Sequence, residues 1–377
     1  MTKLPLAGVT VLEFCQYLSG PSAGLRLADL GARVIKIESP KGDACRKLAI
    51  EDLWVDNEDS LLFHTINRNK ESYAADLKDP LAMVKIKALI SQSDVMIHNF
   101  RPGVMSKLGL DYDQAKSINK RIIYTEITGF GALGPWSKKP GQDLLIQAKS
   151  GLMYTSGNSD NPPVPFGLAI ADIICGAHSV QGILAALIRM KKTGIGAKLE
   201  LSLMESLLDF QFELLTTYYR SDNLPLRSET NNGHTLLGAP YGLHKTRDGF
   251  IAIAMVPLNS LAQALNCESL RLYTQQDAFK KRDEIKKIIA AHLINEDNAF
   301  WMDKLQSADL WAMEVKNWKA LVGEEGFQRM GLVQEIGVEV NTTRCPIRLN
   351  NARLYSNKAA PKLGANNDHI EKEFGLI

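Results

Sequence analysis

Strand-like and helix-like segments alternate through roughly the first third of this 377-residue chain, which constrains the fold more than any other feature. Residues 9–14 (VTVLEF) read as a buried strand. The Ser19-Gly20-Pro21 turn leads into a helix over 22–30 (SAGLRLADL), with Pro21 near its start and Gly31 at its end. Residues 33–38 (RVIKIE) form a second strand, and the three segments make a right-handed parallel unit. The pattern then recurs. Asp79 and Pro80 cap and open a helix through Ile90, followed by a strand over 94–98. A helix over 113–118 leads to a strand over 121–127. Such alternation predicts an α/β fold, a parallel sheet covered on both faces.

Beyond that sheet the chain changes character. Gly129-Phe130-Gly131 and Gly134-Pro135 follow the carboxyl end of a strand, where open α/β sheets place ligands. A helix from about 142 to 153 carries Asp143 in its first turn, and 157–167 (GNSDNPPVPFG) cannot be regular structure. The strongest helix signal covers 172–192. Ile173, Ala177, Val180, Leu184 and Leu187 recur at helical spacing, Lys191 and Lys192 suit the negative end of the dipole, and Gly194 stops it. A strand over 198–203 and a helix over 204–219 come next. Residues 220–240 read as a linker. A strand over 250–255 and a charged helical stretch through Gly323 suggest a smaller α+β domain. The tail carries short strands at 338–340 and 347–349 and a final helix near Ile370. The expected layout is a large domain over 1–220, a small one over 225–325, and a segment over 326–377 that returns to the large domain.

Composition excludes several classes. Hydrophobic residues make up 45% and charged residues 23%, a globular balance. A formal charge of +2 gives no footprint for nucleic acid or a membrane surface. No apolar run reads as long enough to span a bilayer, and no leader segment is recognisable, so a cytoplasmic location is expected. The five cysteines are scattered, and Cys15 and Cys175 read as core filler. G-x-G-x-x-G, the P-loop, G-x-S-x-G and H-E-x-x-H are all absent, as is any clustered metal spacing. No metal and no resident cofactor are expected.

Taken together, the ordered motifs resemble the family III coenzyme A transferases nearly end to end. Pro5-Leu6-Ala7-Gly8-Val9 through Glu13-Phe14, Leu27-Ala28-Asp29-Leu30-Gly31-Ala32 and Gly42-Asp43 with Arg46 carry the first part of the likeness. Asn67-Arg68-Asn69-Lys70, His98-Asn99-Phe100-Arg101-Pro102-Gly103 and Gly141-Gln142-Asp143 with Gln147 follow in order. Gly182 to Leu187, Pro240-Tyr241-Gly242 and Leu363-Gly364 complete it. The resemblance implies a Rossmann-like large domain, a smaller domain and an interlocked homodimer. It implies acyl-CoA and a small carboxylic acid as substrates. By matching positions, Ser19, Ala75, Asp76, Leu77, Lys78, Asn99, Phe100, Arg101 and Lys107 would line the coenzyme A site, with Arg46 beside them. Gly129 and Phe130 would flank the thioester, and Asp143 would be the nucleophile.

The implied chemistry is covalent. The Asp143 carboxylate attacks the donor thioester to give an aspartyl–acyl anhydride, the released thiolate converts this to an aspartyl–CoA thioester, and the acceptor acid reverses the sequence. A thiol near ~8.5 is roughly four to five pKa units more basic than an Asp near ~3.9, so the first step is uphill. Binding energy from the distant nucleotide would offset that cost, and backbone N–H groups would hold the oxyanion. Without the family likeness, an Asp in a first helical turn reads as a cap worth roughly 0.5–2 kcal/mol. The chain departs from formyl-CoA transferase at Phe130, where that enzyme has tyrosine, at Ser39, where it has arginine, and in lacking a run of consecutive glycines. These departures point away from formyl-CoA and oxalate. Two rivals share the pattern: a 2-methylacyl-CoA racemase, whose second acidic position matches Asp172 but whose histidine is replaced by Gln142, and an inactive CoA-binding scaffold.

Overall fold

The computed structural model describes residues 4–55, 59–337, 340–356 and 358–376. Six parallel strands form the main sheet: β1 (Thr10–Phe14), β2 (Arg33–Glu38), β3 (Glu71–Ala74), β4 (Val95–His98), β5 (Ile123–Thr128) and β6 (Ala197–Ser202). Their order across the sheet is β3-β2-β1-β4-β5-β6. This is the doubly wound arrangement, in which winding reverses between β1 and β4 and opens a crevice at the carboxyl ends there. The α/β expectation is met. Val11, Leu12, Ile35, Ile97 and Ile123 are fully buried along these strands, and each contributes about 1.5–3 kcal/mol of burial.

The helices are α1 (Ser19–Asp29), α2 (Leu61–Asn67), α3 (Pro80–Ser91), α4 (Val104–Lys107), α5 (Tyr112–Ile118), α6 (Asp143–Ser150), α7 (Ile170–Thr193), α8 (Leu203–Phe210) and α9 (Phe212–Ser221). Asp79 caps α3, as its sequence predicts, by accepting from the Leu81 N–H. The expected single helix over 204–219 is broken at Gln211 into α8 and α9. With 24 residues, α7 is long and apolar enough to cross a bilayer, contrary to the sequence expectation. In this fold it packs against α1, α8, β5 and β6. Gly176 permits the crossing with α1, because a Cβ there would lie 2.9 Å from the Ser19 carbonyl oxygen.

Two compact units emerge: Met1–Ile146 with Ala169–Phe210 and Arg329–Ile377, and Gln147–Leu168 with Gln211–Gln328. The boundary differs from the expected one, since Gln147–Leu168 groups with the second unit. The second unit carries an antiparallel sheet of β7 (Gly242–Lys245), β8 (Phe250–Ile253) and β9 (Ala312–Glu314). Ile251, Ile253, Leu261, Ile285, Ile289 and Leu305 build its core. Residues 222–241 have no helix or strand, as expected of a linker, yet they are pinned within this unit. There the buried Lys286 ammonium donates to Ser228 Oγ at 2.9 Å. In the tail, β10 (Val333–Ile336) pairs with β11 (Val340–Thr343). Val338 and Glu339 of the expected tail strand lie outside the described residues.

The tail also finishes the first unit. Asn367 accepts from the Ala74 N–H at 2.9 Å and donates to the Ala74 carbonyl at 2.9 Å, while Asn366 accepts from the Ser72 N–H at 2.9 Å. These side chains act as a surrogate strand along the open edge of β3.

Beneath the crevice lies a buried charge cluster. Lys36 on β2 stands beside Glu13 on β1 in register and contacts Glu13 at 3.1 Å, Asp43 at 2.9 Å and the Cys15 carbonyl at 2.7 Å. Lys70 contacts Glu13 at 2.8 Å and donates to the Pro21 carbonyl at 2.8 Å. Two cations and two carboxylates thus neutralise one another and tie the turn after β1 to the sheet. Burial alone would lower the Lys36 pKa, but Glu13, Asp43 and Glu38 outweigh it and raise the value. Gly24 is required here, because a Cβ would fall 1.8 Å from Glu13 Oε2. Replacing Lys36 by alanine removes the cation paired with Asp43 and leaves Glu13 with Lys70 alone, and Lys36→Ala is expected to lose about 3–5 kcal/mol in urea unfolding. A loss below about 1 kcal/mol would show that the cluster relaxes without its central cation.

Candidate active site

The nominated residues follow the carboxyl ends of β1, β3, β4 and β5, which lie on one edge of the parallel sheet. Ser19 is buried in the first turn of α1. Ala75 is buried and donates its N–H to the Glu38 carbonyl at 2.8 Å. Asp76 and Lys78 are exposed, and Asp76 accepts from the Lys78 N–H at 3.0 Å. Leu77 and Phe100 pack against the apolar core under the sheet. Arg101 and Lys107 are exposed and form no ion pair among the described residues.

Two nominated residues are otherwise engaged. Asn99 spans the switch point: its Oδ1 accepts from the Gln16 N–H at 2.9 Å and its Nδ2 donates to the Gln16 carbonyl at 2.7 Å. Its amide therefore fixes the loop after β1. Arg46, expected at the ligand, is buried, and its guanidinium is consumed by Glu38 at 2.7 Å and Asp59 at 2.7 Å. It also stacks over the Phe63 ring at 3.9 Å. Its Nη2 also donates to the Pro361 carbonyl at 3.1 Å, so four of its five N–H groups serve the fold rather than the coenzyme A position expected of Arg46.

Asp143 is brought to the end of β5 by a backbone contact. A Cβ on Gly129 would lie 2.5 Å from the Gly141 Cα, and one on Gly141 would lie 2.4 Å from the Gly129 Cα. Only two glycines close the base of the intervening loop so tightly. Within that loop Phe130 packs edge-on against Trp136, with centroids 5.9 Å apart. Thr128 Oγ1 accepts from the Gly131 N–H at 2.8 Å.

Asp143 is the first residue of α6 and is 8% exposed. Its Oδ1 accepts from the N–H groups of Ala171 at 2.7 Å and Asp172 at 3.1 Å. Both belong to the first turn of α7, whose N-cap Ala169 supplies no side-chain cap. The positive end of the α7 dipole thus faces the carboxylate. Burial, reinforced by the Asp143 charge, pushes the Asp172 carboxyl from its ordinary 3.8 to about 7. Burial and then Lys198 lower the His98 pKa to about 4, so that ring is neutral at pH 7. His98 lies against Tyr124 with centroids 5.1 Å apart.

The sequence reading missed the roles of Gly141 and of the Ala171 and Asp172 backbone. A glycine just before the acidic residue was the available signal for the first, and the uncapped start of an apolar helix was the signal for the second. Among the described residues no cluster of three or more His, Cys, Asp or Glu could hold a metal ion. All five cysteines are buried and unpaired, and burial pushes Cys175 up to about 11.

Comparison with known proteins agrees with this architecture. Residues 6–367 match the sequence pattern of CoA-transferase family III. The chain is 31% identical to succinate–glutarate CoA-transferase of Agrobacterium fabrum, an alignment covering 100% of this chain and 97% of that protein. It is 32% identical to human succinyl-CoA:glutarate CoA-transferase over 98% of this chain and 86% of that one. The crystal structure of a CAIB/BAIF family protein from Brucella suis superposes with a TM-score of 0.87 at 30% identity, covering 99% of this chain and 100% of that one. The chain therefore belongs to CoA-transferase family III and is a CoA transferase acting on acyl-CoA and carboxylic acids.

Proposed function

We propose that the chain moves coenzyme A from an acyl-CoA donor to a carboxylic acid through covalent intermediates on Asp143. The observation that carries this reading is a buried carboxylate just beyond the carboxyl end of a parallel strand, with one oxygen fixed by two backbone N–H groups. One carboxylate oxygen attacks the donor carbonyl, the carbon–sulfur bond breaks, and the thiolate leaves. That thiolate attacks the aspartyl Cγ, and the donor acid departs as a carboxylate. The acceptor carboxylate then attacks Cγ, expels the thiolate, and passes its acyl group to it, restoring Asp143. No net proton is consumed.

Arg101 and Lys107 are the exposed cations proposed to meet the phosphates of coenzyme A. Succinyl-CoA is the proposed donor and a small dicarboxylate the proposed acceptor, a choice supported by the names of the succinate- and glutarate-using relatives. Racemisation is the weaker alternative, because Gln142 preceding Asp143 cannot serve as a base. A homodimer is also proposed. It is supported by the exposure of Trp311, Met313 and Leu243 around an apolar hollow of about 630 Å³ in the second unit, and by Phe212 and Tyr219 on α9.

Three outcomes are expected. With succinyl-CoA and a panel of dicarboxylic acids, Asp143→Ala should lose transfer by about 10⁴-fold or more; the wild type should show an acyl or CoA adduct on the Asp143 peptide by mass spectrometry. Full activity in Asp143→Ala removes the nucleophile. Sedimentation equilibrium should give twice the chain mass at micromolar concentration, and a monomer would exclude the dimer.

The third outcome concerns pH. The folded chain binds the Asp172 proton more tightly than the unfolded chain does. Its stabilising contribution is therefore complete below the ordinary 3.8 and is lost as pH rises through about 7. Asp172→Asn should accordingly melt higher relative to wild type at pH 8 than at pH 5, as read by calorimetry. An equal difference at both values would mean that Asp172 titrates normally.

A further inference from the structure

We propose that the Ala171 and Asp172 backbone N–H groups form the oxyanion site for the aspartyl carbonyl, holding Oδ1 throughout while Oδ2 alone makes and breaks bonds. The assignment rests on Asp143 being the nucleophile.

The geometry is that of an oxyanion site. Distances of 2.7 and 3.1 Å lie within the range at which preorganised donors stabilise developing charge. Both groups are also available. They are the second and third N–H groups of α7, and the first four of any helix have no intrahelical acceptor. Ala169, at the N-cap, contributes no side chain to them. The oxygen of Asp143 takes that place from a separate helix, 28 residues earlier in the chain.

The charge on this oxygen changes in a specific order. In the resting carboxylate it carries half a negative charge. In the anhydride and in the thioester it is a neutral carbonyl oxygen. When the CoA thiolate attacks Cγ, and again when the acceptor carboxylate does, the carbonyl double bond opens and Oδ1 carries a full negative charge. The tetrahedral species then collapses by expelling a carboxylate or a thiolate. The two N–H groups and the aligned dipole of a 24-residue helix meet this charge without reorganising. Attack on the donor's own carbonyl places its charge on a different oxygen, beyond Cγ. The α7 terminus therefore accelerates the steps at the aspartyl carbon, and the acyl-side oxyanion requires other donors.

Replacing Ala171 by lactic acid through nonsense suppression exchanges one N–H for an ester oxygen and leaves the side chain intact. Acyl-CoA is mixed with enzyme, quenched in acid, and resolved by intact mass. Formation of the CoA adduct on Asp143 is expected to slow about 100-fold, with acyl-CoA affinity within a factor of about three of wild type. Ala171→Pro removes the same N–H genetically, at a first-turn position where proline is tolerated, and is expected to show the same selective delay. A CoA adduct forming at the wild-type rate in either folded variant overturns the assignment. A single turnover of the wild type with ¹⁸O-labelled acceptor acid tests the underlying reading separately. One label on the Asp143 carboxyl is expected, and none would remove the nucleophile itself.

Discussion

One carboxylate oxygen links the two halves of the first unit. Asp143 Oδ1 completes the start of α7, the longest helix of the chain, while the rest of the side chain belongs to α6. The helix needs an anion at its uncapped end and the carboxylate needs donors in a buried setting, so each satisfies the other. Everything that places α7 against α1, β5 and β6 therefore also places the Asp143 carboxyl group. The Gly129–Gly141 contact does the same from the other side, holding the start of α6 against the end of β5.

The crevice at the switch point is stiffened by charge rather than by packing alone. Glu13, Lys36, Asp43 and Lys70 form a closed set below the first turn, and Asn99 bridges from β4 to the loop after β1. Buried ions of this kind add little net stability compared with apolar residues of similar volume. Their directional contacts fix where Gln16 and Pro21 sit, which apolar side chains cannot do.

Much of this was legible in the chain itself. Buried parallel strands announce themselves as apolar runs, so β1, β2, β4 and β5 were readable, as was the helical stripe of α7. Local rules failed where the partner is distant in sequence. The edge strand β3 has the polar sequence ESYA and is recognised by Asn367 from 293 residues away. The start of α7 at Ile170, ahead of Asp172, has no local capping signal because its cap comes from Asp143. Arg46 is engaged by Glu38 and Asp59, eight and thirteen residues away, a pairing that no helical or strand periodicity encodes. Of the candidate site, the family likeness nominates Asp143, whereas the donors opposite it are backbone groups that no side-chain pattern encodes.

The closing of β3 by Asn366 and Asn367 has a consequence for biosynthesis. Those residues are synthesised 293 residues or more after the strand they cover, so the nascent sheet carries a free row of backbone donors and acceptors until they emerge. Growing chains on neighbouring ribosomes present the same row, and pairing between them competes with native closure. Asn366 and Asn367 thus act as a latch, and a chain without them leaves the edge of β3 adhesive.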